Sequence, residues 1–98
     1  MPRIQGLKEQ ICNDDVLLKT GPGELHSVTI SFAGATIGNK VIFRDGIDGA
    51  AQPWVVFVLP TANGILTKEW PQGKRFEVGI YYDDQGPGGT IDTEVTFK

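Results

Sequence analysis

Hydrophobic and polar residues alternate with period two along much of this chain, which is the pattern of strands buried on one side. From Leu25 to Phe32 the run LHSVTISF sets Val28, Ile30 and Phe32 on one face and Ser27, Thr29 and Ser31 on the other. The spacing places His26 with Val28 and Ile30. RFEVGIYY, residues 75–82, groups Phe76, Val78, Ile80 and Tyr82, and TIDTEVTF, residues 90–97, groups Ile91, Thr93, Val95 and Phe97 against Asp92, Glu94 and Thr96. Further strands are predicted over 16–19, 40–44, 54–59 and 65–70, which makes about seven.

Turn signals separate these runs: Gly21-Pro22-Gly23, Asp45-Gly46, Asp48-Gly49, Asn63-Gly64, Pro71-Gln72-Gly73 and Gly86-Pro87-Gly88-Gly89. Asn63-Gly64 is a favoured two-residue hairpin turn, and Gly34 to Lys40 reads as another hairpin connection. Short strands with turns every 8 to 12 residues or so predict an all-β chain folded as an antiparallel two-sheet sandwich, with a closed barrel as the second choice. Helix is suggested only near the start, where Ile4, Leu7 and Ile11 recur at i, i+3 and i+7, but Pro2 and Gly6 oppose it. Residues 1–13 are equally well an extended arm or an extra edge strand.

One segment breaks the alternation. In Trp54-Val55-Val56-Phe57-Val58-Leu59 both sides of a strand are apolar, with Trp54, Val56 and Val58 facing one way and Val55, Phe57 and Leu59 the other. A sandwich of 98 residues has one core and buries one of those sides. The other must be covered by a neighbouring subunit, by a loop or the N-terminal arm of the same chain, or remain an exposed patch of a kind soluble monomers seldom tolerate. These six residues are the candidate subunit interface, and a homo-oligomer is expected.

Composition narrows the function by exclusion. Hydrophobic residues make up 40% and charged ones 21%, which suits one globular domain spanning 1–98 rather than a disordered chain. The net charge is -3 and the nine lysines and arginines are scattered, so there is no basic stripe for nucleic acid. No apolar run is long enough for a signal peptide or a membrane span, so a soluble protein made in the cytoplasm is expected. The single cysteine, Cys12, makes no intrachain disulfide, and the single histidine, His26, excludes a two-histidine metal site.

Little chemistry remains. A Cys12 and His26 pair would need the fold to bring them together, and a lone cysteine is more often a small buried apolar residue. Asp14-Asp15, Asp83-Asp84 and Asp45-Gly46-Ile47-Asp48-Gly49 offer carboxylates, but the last fails the spacing of a calcium loop and reads as a turn. Gly34 to Lys40 fails the phosphate-loop spacing. No catalytic residue, metal site or cofactor is expected. Trp54, Trp70, Tyr81 and Tyr82 could form a platform that stacks on sugar rings, which makes a carbohydrate- or ligand-binding module the alternative function.

The segments Leu18 to Val28, Val41 to Gly46, Glu69 to Phe76 and Gly79 to Tyr82 resemble small β-sandwich proteins encoded among the structural genes of marine tailed bacteriophages. The resemblance implies a jelly-roll or related viral-coat-like sandwich of seven or eight strands. It implies a non-enzymatic accessory or decoration protein of the virion, in contact with other virion proteins and assembled as a trimer or pentamer before a dimer. It carries over no functional residues.

Overall fold

The computed structural model describes residues 6–84 and 89–98. Ile4 and Pro2 of the N-terminal segment, and the turn residues Gly86 to Gly88, lie outside the described residues. Among the described residues there is no helix, and eight strands form: β1 (Lys8–Cys12), β2 (Val16–Thr20), β3 (Gly23–Ala33), β4 (Lys40–Asp45), β5 (Gln52–Val58), β6 (Gly64–Phe76), β7 (Gly79–Asp83) and β8 (Thr90–Phe97). They make two four-stranded sheets, ordered β1-β8-β3-β6 and β2-β7-β4-β5, with all pairs antiparallel. Four pairs, β1–β8, β2–β7, β3–β6 and β4–β5, have numbers that sum to nine. The chain is one long antiparallel ribbon rolled up, the jelly-roll connectivity, and the sheets do not close into a barrel. Residues 8–12 are an edge strand.

Rolling has a consequence that local turn signals miss. Among the described residues only β4 and β5 are consecutive strands in one sheet; every other connection crosses between sheets. Asn63-Gly64 is therefore not a hairpin turn, and neither is Gly34 to Lys40. Both are crossovers, lying side by side because β3 pairs with β6 and β4 with β5. They bond to each other: Gly38 N donates to Leu59 O at 2.8 Å, Ala35 N to Ala62 O at 3.0 Å, Leu59 N to Asn39 O at 2.9 Å, and Gly34 N to Asn63 Oδ1 at 3.0 Å.

Residues 75–82 likewise do not form one strand. Phe76 ends β6 and Gly79 begins β7 in the other sheet, leaving Val78 in the crossing and 55% exposed. Asp45, at the end of β4, fixes this crossing. Its carboxylate accepts the amides of Val78 at 2.8 Å, Glu77 at 3.1 Å and Gly79 at 3.4 Å. Burial works against the charge, but the amides of Val78, Glu77 and Gly79 outweigh it and hold the Asp45 carboxyl below the usual aspartate range. Gly79 must be glycine here, since a Cβ would lie 2.7 Å from Gly46 O and 2.8 Å from Lys19 O.

The core lies between the sheets. Leu25, Val28 and Ile30 of β3, Val41 and Phe43 of β4, Ile80 and Tyr82 of β7, and Val95 of β8 are wholly buried. Each such aliphatic or aromatic side chain contributes about 1.5–3 kcal/mol by leaving water. The Tyr82 ring meets Phe43 edge to face at 5.5 Å, and its hydroxyl pairs with that of the buried Thr93 at 2.7 Å. His26 is not on this face. A β-bulge between Leu25 and Ser27 puts two residues, His26 and Ser27, between inward Leu25 and inward Val28. The His26 ring turns outward, 3.1 Å from the Glu24 carboxylate, and Ser27 bonds Thr96 across the outer face.

Candidate functional site

β5 forms because β-branched and aromatic residues suit the pleated surface, and it pairs with β4 in the register Lys40↔Val58, Val41↔Phe57, Ile42↔Val56 and Phe43↔Val55. A bulge then sets Pro53 opposite Arg44. Alternation divides the segment: Val55 and Phe57 are half-buried against the core and Leu59 is fully buried. Trp54, Val56 and Val58 are 42%, 46% and 52% exposed. β5 is also an edge strand, with β4 on one side only.

Trp54 is held in place rather than left loose. Its Nε1 donates to Arg75 O at 2.8 Å, and the ammonium of Lys74 sits 4.9 Å from the ring centroid. Arg75 and Lys74 belong to β6, so the indole ties the edge of one sheet to the edge of the other. On the outward side of β4, next to β5, Ile42 is buried and Arg44 makes a nearly buried ion pair with Asp83, Nε to Oδ2 at 3.0 Å, while its Nη1 donates to Ala51 O at 2.9 Å.

The other candidate residues are dispersed. Cys12 is buried on the core side of β1, and burial pushes its thiol up to about 11, so it is not a thiolate near neutral pH. His26 lies on the opposite face of the same sheet, with β8 between the two strands. The four aromatic rings share no surface: Tyr82 is wholly buried, Trp70 packs against the core with Lys68 6.0 Å from its ring, and Tyr81 is half-buried two strands from Trp54. Trp70 instead lines an open cleft of about 290 Å3 with Pro71, Gln72 and Gly73. Those four residues are an excursion of β6, between Glu69 opposite Ser27 and Lys74 opposite Leu25.

Two arrangements escape a reading of the sequence. The first is the Asp45 clamp, since Asp-Gly signals only a turn. The second is a cluster in which carboxylate oxygens of Asp14, Asp15 and Asp84 lie within 4.8 Å of one another. Pairing of β2 with β7 brings the two aspartate pairs together. Within the cluster Asp14 Oδ1 accepts Asp15 N at 2.8 Å, and Asp15 Oδ1 accepts Asp84 N at 3.1 Å. Burial, and then the charges of Asp15, Asp83, Asp48 and Asp14, push the nearby Tyr81 phenol up.

The fold and its exposed strand define a jelly-roll β-sandwich with one apolar, unpaired edge. Comparison with known proteins finds no matching family model, no matching curated protein and no matching solved structure.

Proposed function

We propose that the chain is a non-enzymatic structural subunit that self-assembles through β5, as an accessory or decoration protein of a tailed-phage virion made in the host cytoplasm. The observation that carries this reading is the exposure of Trp54, Val56 and Val58 at alternate positions of one edge strand. Covering them removes roughly 250 Å2 of apolar surface per subunit, about 6 kcal/mol at the usual coefficient. That is near a third of the roughly 800 Å2 each partner gives to a standard interface. The strip is thus the centre of an interface, with neighbouring residues supplying its rim. The jelly-roll connectivity agrees with the viral-coat-like resemblance, and the separation of Cys12 from His26 leaves nucleophilic chemistry without support. A sugar-binding platform is the weaker reading, because Tyr82 is inside the core.

Light scattering after size exclusion, at tens of micromolar, tests the proposal. A particle heavier than the 10.6 kDa chain is expected, and a 10.6 kDa particle refutes it. Val56→Asp should give a folded monomer, because Val56 faces outward. Phe57→Asp should unfold the protein, because Phe57 packs on the core and its ring meets Phe43 at 6.3 Å.

A further inference from the structure

Among the described residues four strands have one partner each, β1 and β6 in one sheet and β2 and β5 in the other. An unpaired edge invites pairing with another chain, and proteins block it with charge, proline, bulges or short strands. β1 has five residues and carries Lys8 and Glu9. β2 has five, with a bulge between Leu17 and Lys19. β6 bears Lys68 and Lys74 at positions opposite the inward Val28 and Leu25, and Pro71 in its excursion. β5 alone has no charged residue, from Gln52 through Val58; its own proline and bulge, at Pro53 and Trp54, lie at its start and leave Val55 to Val58 regular.

We infer that β5 pairs antiparallel with β5 of a second copy of this chain across a two-fold axis, joining the two β2-β7-β4-β5 sheets into one continuous sheet. The inference rests on the self-assembly reading and specifies its geometry. Residues directly opposite in an antiparallel pair share a face, so an allowed register matches outward residues with outward ones. Pro53 and Pro60 have no amide hydrogen and bound the window available for pairing. The register that uses Trp54 through Val58 and excludes both prolines is centred on Val56. It sets Val56 opposite Val56 of the partner subunit, Trp54 opposite the partner's Val58, and Val55 opposite the partner's Phe57.

Each contact in that register joins two β-branched residues or an aromatic and a β-branched one, the combinations that favour cross-strand pairing, and no like charges meet. A different protein would have to supply this pattern; a second copy supplies it by symmetry. Trp54 is already fixed by Arg75 and Lys74, so ordering it costs little on association. The result is an isologous pair instead of the odd-numbered ring that the viral-coat resemblance implies.

Two measurements test the pairing. In the unaltered protein, alternate amides between Trp54 and Val58 should exchange with deuterium about tenfold more slowly at a concentration where the particle is assembled than after dilution to monomer. In a Val56→Cys variant, air oxidation should cross-link two chains, whereas Phe57→Cys, whose position faces the core, should not; Cys12 is buried and stays out of the reaction. An assembled particle with unchanged β5 exchange and no cross-link at position 56 overturns edge pairing and leaves self-assembly standing. A 10.6 kDa particle at every concentration overturns both.

Discussion

Asp45→Asn would test the clamp that carries the chain from one sheet to the other. The substitution keeps size and one carbonyl acceptor but removes the charge that faces the amides of Glu77, Val78 and Gly79. A hydrogen bond to a charged group contributes about 1.5–3 kcal/mol, and for a half-exposed carboxylate solvent screening reduces this. We expect a net loss of about 1.5 kcal/mol at pH 7, which for a domain of this size lowers Tm by roughly 6–12 °C. The pH dependence gives the sharper check. Because folding depresses the Asp45 pKa, its contribution is complete above the unfolded value of about 3.9 and is lost as pH falls through the lower folded value. The Tm gap between the native protein and Asp45→Asn, followed by circular dichroism, should therefore be wide at pH 7 and narrower at pH 2. No gap at pH 7, or an equal gap at both pH values, refutes the reasoning.

Tyr82→Phe leaves the buried Thr93 hydroxyl without its partner and should cost about 1–3 kcal/mol in urea unfolding, whereas Tyr82→Phe with Thr93→Val removes both groups and should recover most of the loss. Reading Asp14, Asp15 and Asp84 as turn and rim carboxylates predicts the same thermal midpoint in EDTA and in millimolar calcium; a micromolar site among them would instead raise stability by about 4 kcal/mol.

What could be read from the sequence was whatever depends on near neighbours in the chain. The alternation in β8 placed Ile91, Thr93, Val95 and Phe97 inward, and all four are buried. The two-sided run Trp54 to Leu59 divided where alternation divides it. Other features turned on partners distant in sequence. Asn63-Gly64 has the composition of a hairpin turn, but pairing of Phe32 with Gly64 commits the next strand to the opposite sheet. The unbroken pattern from Phe76 to Tyr82 is cut by a carboxylate more than thirty residues away. One extra residue in a bulge moved His26 outward, and the acidic cluster existed only once β2 met β7.

The meaning of a two-sided apolar strand depends on its place in the sheet. Such runs suit central strands with both faces covered by protein. A rolled ribbon in which strands sum to nine is stitched together through β8–β3 and β7–β4, so β1, β2, β5 and β6 are the ones left at edges. The middle of the chain thus ends at an edge whatever its composition. β6 meets that position with lysines, a proline and an excursion, the features of an edge that stays unpaired. β5, next to it along the chain and at the corresponding edge of the other sheet, has the apolar composition of a central strand from Trp54 to Val58, and the proposed pairing with a second β5 would give it that place.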